Sequence, residues 1–448
     1  MWSMTCSRAT RIQLRRARRH APLVWLAAAG LASTVALAQS SPPPVTEPIA
    51  EPVTVPAPPA ETSAPAPTTQ DPVAASEARV KSVEVEVGRN TLRTAEAYFD
   101  LAEAKRAAGE HDEAATSYLA AIDIYRAVDG AFTPLAIGPL TSLGDNYHEA
   151  GDYLSAVSAY GEARTISRRA YGLMNERQVV FLDRLSRSLL ELNQTIEADE
   201  QQTESLRIVE RNHPPESDEA LAALYKYAGW LRDRGFFQTE REQYLRALRT
   251  VREHYGKEDV RQVAPLVGLA NSLRNQRLPD GLGIGSLQEA LRLLQAAPEQ
   301  DQVAIAAVMR DIGDWFVAFN RVGYDGAEYR QAWELLGNAP NGEQLRQEWF
   351  TGPTYVLREP ISLRGLSEEP NAPQGHVLVS FDLGISGESA NVAVVESTPA
   401  GLKDEAMLRH IRRSRFRPQM ANGELVPVQG LALQFNFRYM PDAVATND

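Results

Sequence analysis

Cysteine is nearly missing from this sequence. Its 448 residues hold one, Cys6, which leaves no disulfide framework, no cysteine metal site and no thiol nucleophile beyond the first few positions. Histidine is sparse too. His20, His111, His148, His213, His254, His376 and His410 are scattered, and none stands with another histidine or with carboxylates at metal-ligating spacing such as HExxH. His111 and His148 read as exposed polar residues. No G-x-S-x-G occurs, so there is no nucleophile elbow. Gly281-Leu282-Gly283-Ile284-Gly285 lacks the Lys-Ser/Thr and the preceding strand of a phosphate loop, and reads instead as part of a lengthened turn. Acid pairs such as Asp112-Glu113 have no neighbour to raise a pKa. The expectation is a protein that is not an enzyme and holds no cofactor or metal.

A basic surplus is also absent. The net charge is −12, and six arginines (Arg8, Arg11, Arg15, Arg16, Arg18, Arg19) fall in the first 38 positions, where there is no acid. The rest of the chain is therefore more acidic than the total suggests. Nucleic acid, which demands a basic face, is excluded as a partner.

What the sequence has in plenty is repetition. Residues 143–163 carry Leu-Gly, then Tyr147, Gly151, Ala156, Tyr160 and Ala163 at fixed offsets. Forty-two residues earlier the same slots hold Leu101-Ala102, Lys105, Gly109, Ala114, Tyr118 and Ala121. Later copies begin at Leu185-Ser186, Tyr227-Ala228 and Leu269-Ala270, and a sixth, Ile312-Gly313, comes 43 residues after the fifth. Each unit is two apolar-periodic segments around a Gly or Asn, the chemistry of a helix stop and turn. Small residues fall where two helices must approach, and tyrosines fill the space beside them. One such unit cannot bury its apolar stripe alone, so neighbours must stack as a solenoid.

This pattern resembles the tetratricopeptide repeat in its 42-residue, kinesin-light-chain-like form, and about six repeats span residues 78–340. The resemblance implies a groove, lined by the first helix of each repeat, that binds protein segments. The residues it places there include Asp145, His148, Asp183, Arg187, Arg232, Asn271, Arg274, Arg310 and Asp314.

Two segments precede the repeats. Residues 1–38 read as an export signal, with the arginines in front, an uncharged apolar run from Ala21 to Ala38, and Ala36-Leu37-Ala38 before Gln39 as a small-x-small cleavage site. The rival reading is a retained membrane anchor; the run lies at the lower limit of what spans a bilayer. Residues 39–77 are a Pro-rich spacer, with 11 prolines between Pro42 and Pro72, and cannot bury a core. Val83, Val85 and Val87 suggest a strand, while Val80, Val83 and Val87 fit one helical face; the helical reading is preferred as a lead-in to the first repeat.

After residue 350 the periodicity changes. Residues 354–357 suggest a short strand. Val377, Val379, Phe381, Leu383 and Ile385 alternate with polar residues, Ser386-Gly387-Glu388 is a turn, and a second strand follows. A helix presents Leu402, Ala406, Met407, His410 and Ile411 on one face, with Lys403, Arg409, Arg412 and Arg413 outward. Arg415 and Arg417 extend that basic cluster. Beyond the Asn422-Gly423 turn, Leu431, Leu433, Phe435 and Phe437 share a face of a last strand. The whole reads as a small α+β layer (ββαβ) over residues 350–440.

Its order resembles the C-terminal domain of TonB-like energy transducers. The match lies in Gly375-His376-Val377-Leu378-Val379-Ser380-Phe381-Asp382, Asn391-Val392-Ala393-Val394-Val395-Glu396-Ser397, Arg415-Phe416-Arg417-Pro418 and Asn422-Gly423. The resemblance implies that the last strand accepts an extended peptide by β-augmentation, through Gly430, Leu431, Ala432, Leu433, Gln434, Phe435 and Asn436. Energy-transducing members keep an anchor with polar residues, a histidine among them, whereas residues 21–38 here contain no ionisable group.

The fold expected is mainly α, a tetratricopeptide-type solenoid with a TonB-like C-terminal domain. The function expected is a periplasmic protein–protein interaction scaffold for envelope proteins or peptide segments. Membrane contact would come only through a partner or an uncleaved leader. The alternative is an inner-membrane-anchored energy transducer acting on outer-membrane transport receptors.

Overall fold

The computed structural model describes residues 71–362, 364–367 and 372–440. The expected export signal and most of the Pro-rich spacer lie outside these residues.

The first helix starts earlier than the sequence suggested. α1 (Pro72–Val87) opens on Asp71, whose side chain accepts the Val73 N–H, with Pro72 in the first turn. Proline is at home there because its missing N–H would have no helical partner. The spacer boundary expected at residue 77 therefore moves back, and the strand reading of the valines is excluded. Val80 and Val83 pack on Ala97 and Leu101.

Six helical hairpins follow: α2 (Leu92–Ala107) with α3 (His111–Asp129), α4 (Ile137–Glu149) with α5 (Tyr153–Tyr171), α6 (Gln178–Glu191) with α7 (Thr195–Asn212), α8 (Asp218–Asp233) with α9 (Phe237–Tyr255), α10 (Val263–Asn275) with α11 (Gly281–Ala296), and α12 (Gln302–Ala318) with α13 (Ala327–Leu336). The 42-residue period is written in the backbone. The turn between the two helices of each hairpin carries a left-handed residue at this step, Gly109 (φ 80°), Gly151 (81°), Asn193 (58°), Gly235 (77°), Arg277 (60°) and Asn320 (49°), and the longer sixth turn adds Gly323 and Gly326. Glycine and asparagine tolerate that conformation best; the fifth turn uses arginine. The lengthened turn expected at residues 279–285 is not present. Asp280 caps α11 by accepting the Gly283 N–H at 3.1 Å, so the glycine run is the helix's first turn.

Stacking follows from the tyrosines and small residues. A Cβ on Gly144 would fall inside the Tyr160 ring, one on Gly268 inside Tyr244, and one on Gly313 inside Tyr329. Cores cross from hairpin to hairpin: Tyr118 and Ile122 of α3 share a cluster with Leu140 and Leu143 of α4, Ile166 of α5 and Phe181 of α6. Each such buried side chain contributes ~1.5–3 kcal/mol.

The described residues form two compact units. One takes in residues 71–276 and Asp280–Gln300; the other takes in Arg277–Pro279 and residues 301–440, so the sixth hairpin belongs with the C-terminal region. In that second unit α14 (Gly342–Phe350), which the sequence reading missed, puts Phe350 against Tyr329 and Trp333. β1 (Tyr355–Leu357), β2 (Gln374–Leu383) and β3 (Ser389–Thr398) lead to α15 (Asp404–Arg413), then β4 (Arg415–Phe416), β5 (Gln419–Ala421), β6 (Glu424–Val426) and β7 (Val428–Arg438). The main sheet has the order β3-β2-β7, antiparallel throughout, with β1 paired to β4 and β5 to β6. α15 packs on β3 and β2. Val377, Val379, Phe381 and Leu383 meet Met407, Ile411 and Phe416 in its core.

Candidate functional site

Two surfaces were expected to bind protein, the first-helix face of the repeats and the last strand.

On the first-helix face the structure ties charges to one another. Asp145 accepts the Tyr160 hydroxyl at 2.7 Å and pairs with Arg184 of the next hairpin at 2.7 Å. Burial and this carboxylate push the Tyr160 hydroxyl pKa well up. Asp183 pairs with Lys226, one hairpin further on, and Glu149 pairs with Arg106 at 2.9 Å. His148 is bonded to Ser188 at 2.9 Å and packs edge-on against Tyr153, and His111 is bonded to Asn146 at 3.0 Å. Both histidines are half-buried, not exposed. Arg187 and Arg232 are exposed, the latter beside Asp233 at 3.1 Å, while Asn271 and Arg274 are half-buried.

Two residues expected on that face are used up in the second unit. Arg310 pairs with Asp311 at 2.8 Å and lies over the Trp349 ring. Asp314 is 1% exposed and cannot meet a ligand. Its two oxygens accept Nε and Nη2 of Arg417 at 2.8 and 2.7 Å, and one also accepts the Tyr329 hydroxyl at 2.9 Å. Arg417 donates its remaining nitrogen to the Trp349 carbonyl at 2.8 Å. This bidentate pair compensates two charges that would be costly to bury singly.

The basic cluster also disperses. Arg417 is buried, Arg415 pairs with Glu388 at 3.2 Å and Arg413 with Glu359 at 3.7 Å, while Arg409, Arg412 and Arg413 are exposed. Lys403, expected outward, is 3% exposed. Burial lowers its ammonium pKa. His410 is fully buried, bonded to the Tyr355 hydroxyl at 2.9 Å and to the Glu359 carbonyl. Desolvation pushes its pKa down to about 4, so it is neutral near pH 7.

The last strand lies at an edge of the sheet. β7 pairs with β2 along Arg438–Gln374 to Leu431–Phe381 and with no other named strand. Tyr439 donates its N–H to Pro373 on the β2 side. In an antiparallel pair alternate residues face the same neighbour, so Phe437, Phe435 and Leu433 point their backbone groups at β2. Ala432, Gln434 and Asn436 point theirs at the open edge. Their side chains are exposed, while Phe435 and Phe437 are buried and Leu431 and Leu433 half-buried. The edge presents a row of backbone donors and acceptors beside a partly uncovered apolar strip.

Residues 369–439 match the family described as Gram-negative bacterial TonB protein C-terminal. The TonB-like domain so defined takes in β2, β3, α15 and β7. Among solved structures the chain is similar to a Podosopora anserina kinesin light chain with nearly identical TPR-like repeats (18% identity, 48% of this chain and 93% of that one, TM-score 0.35). It is also similar to the C-terminal part of a TPR repeat-containing protein from Cytophaga hutchinsonii (9% identity, 61% and 93%, TM-score 0.40). A third is YrrB, a TPR protein with an unusual peptide-binding site (16% identity, 49% and 94%, TM-score 0.29). Curated proteins gave no match. The chain is a mainly α protein of tetratricopeptide-type hairpins followed by a TonB-like domain.

Among the described residues there is no cluster of His, Cys, Asp and Glu that could hold a metal ion, and no helix long and apolar enough to cross a membrane. Sequence reasoning missed the pairing of Asp314 with Arg417 and the roles of Lys403 and His410. The sequence offered one hint, an arginine flanked by Phe416 and Pro418.

Proposed function

We propose that this protein is a non-enzymatic scaffold of the periplasm that holds segments of other envelope proteins, with the β7 edge as its principal contact. The open backbone of Ala432, Gln434 and Asn436 carries this reading. A sheet edge pairs with any extended chain that can match its hydrogen bonds, and the neighbouring side chains select among them. On the first-helix face the exposed Arg187 and Arg232 offer charge to a second segment, while Asp145 and Asp183 hold neighbouring hairpins together.

The test is co-purification of the full chain from cell envelopes, compared with a Gln434→Pro variant. Proline removes an edge-facing N–H and leaves the pairing to β2 in place. Loss of a defined partner from the variant is expected. A partner set unchanged by Gln434→Pro overturns the edge as the principal contact. Recovery in the cytoplasm, or with residues 1–38 retained in the membrane, overturns the periplasmic scaffold; the latter favours the anchored transducer.

A further inference from the structure

The segment just before β2 runs along the same edge. Ser367 donates its N–H to the Arg438 carbonyl at 2.9 Å, Met440 donates to the Gly365 carbonyl at 3.2 Å, and Leu366 bridges Tyr439 in antiparallel sense. Arg438 and Met440 fall in the same alternation as Asn436, so these bonds are made on the side of β7 that faces away from β2. The chain thus lays a short strand of its own on the far end of the edge assigned to partners.

Buried polar groups fix the chain that leads into that strand. Lys403 donates its ammonium to the carbonyls of Ser362, at 2.8 Å, and Arg364. Ser414 accepts the Glu359 N–H at 3.0 Å, and His410 is bonded to the Glu359 carbonyl. A lysine 3% exposed with backbone carbonyls as its partners is spent on holding this segment, because an unmet buried ammonium is strongly unfavourable. Coverage of the sheet changes along β7 in parallel: Phe435 and Phe437, nearer the segment, are buried, and Leu431 and Leu433 are not.

We propose that residues 365–367 are a built-in strand that closes the C-terminal end of the β7 edge, so that a partner strand can pair only opposite residues 431–436. This rests on the edge-binding reading above. The occupant is an extended segment of another protein. It places apolar side chains beside Leu431 and Leu433 and polar ones beside Gln434 and Asn436, since alternate residues of an added strand fall on opposite faces. Its end is set where it meets Ser367.

A photo-cross-linking residue placed singly at 432, 434, 436 and 438 of the full chain, in its own cells, tests this. Adducts to one partner are expected at 432, 434 and 436, with a yield at 438 about fivefold lower or less. Ser367→Pro, which removes the N–H given to Arg438, and Lys403→Met, which releases Ser362 and Arg364, should each bring the yield at 438 up to that at 434. Amide exchange at Val377 and Val379 verifies the sheet in both variants, and exchange at Met440 should quicken by about tenfold or more. Equal yields at 434 and 438 in the unaltered chain overturn the built-in strand. So does a Met440 amide that already exchanges freely. Adducts to a second copy of this chain overturn the proposed occupant. No adduct at any position, with Met440 still protected, sinks the edge-binding reading and leaves the occupied end of the edge in place.

Discussion

The second and sixth hairpins carry the same small arrangement and end against different neighbours. In the second, Tyr160 rests on Gly144 and gives its hydroxyl to Asp145, which pairs with Arg184 from the following hairpin. In the sixth, Tyr329 rests on Gly313 and gives its hydroxyl to Asp314, but the arginine is Arg417, 103 residues further on in the TonB-like domain. The domain supplies the contact that a following repeat would supply. The surroundings differ: the Arg184 and Asp145 side chains are 36% and 21% exposed, those of Arg417 and Asp314 10% and 2%. Repeat arrays need a terminal element to cover the last apolar face. Here an α+β domain does so for α12 and α13.

The sharpest way to break this comparison is to remove the two arginines in turn. Arg417→Met leaves Asp314 charged and buried, and should cost ~3–5 kcal/mol; Arg184→Met, at a half-exposed pair, should cost below ~1 kcal/mol. Urea unfolding of both variants measures the gap. Equal losses would mean that the deeper burial of the Arg417 pair adds nothing to what a following repeat supplies. Pairing Asp314→Leu with Arg417→Met should recover most of the stability, since apolar replacement of a buried pair is often neutral.

A second difference is pH. His410 is held neutral in the folded domain with its pKa near 4, against about 6.5 in an unfolded chain. The unfolded chain therefore binds a proton first as pH falls. The associated stability is complete above about pH 6.5 and is lost progressively down to about pH 4, an effect on the order of 2–3 kcal/mol. The C-terminal unit should lose stability over this window, and His410→Gln should flatten the dependence. A tryptophan-fluorescence melt followed from pH 7 to pH 4 reads it.

Gly144→Ala and Gly313→Ala each press a methyl into a tyrosine ring, and should lower stability by similar amounts, ~1–3 kcal/mol. A markedly larger effect at 313 would show the sixth hairpin to be the stiffer one. The smallest effect belongs to the fourth hairpin, where Glu240 takes the slot that Ala156 fills in the second. It is 1% exposed, accepts the Ser272 hydroxyl at 2.7 Å, and burial raises its pKa. A raised folded-state pKa costs stability that builds as pH rises past the ordinary carboxyl value and is complete above the folded-state one. Glu240→Gln should therefore be slightly more stabilising at pH 8 than at pH 4, as urea unfolding at the two pH values would read.

What was legible in the sequence is what repeats or alternates. Tyr118, Tyr160, Ala156 and Ala163 announced themselves by recurring every 42 residues, and all four are buried. The strand faces of Val377 to Leu383 and of Leu431 to Phe437 showed because a half-buried sheet imposes a period of two. The start of α1 was also readable, as an aspartate before a proline, but a proline-rich background hid it. Asp314 and Arg417 could not be paired in advance, since nothing local links residues so far apart. Both looked like ordinary charges on helical or turn surfaces. Lys403 was assigned outward for the same reason. Its partners are carbonyls, which carry no mark in a sequence.

Arg417 has a bearing on how such a chain could have grown. A copy of the 42-residue unit inserted among the first five hairpins would meet surfaces like those it left. One added after α13 would have to evict Arg417 from Asp314 and separate the domain from its seat. Duplication is thus open only upstream. The tail end of the row is sealed against lengthening, and any relative with more or fewer repeats should differ in the interior while keeping its last hairpin and domain as an inseparable pair.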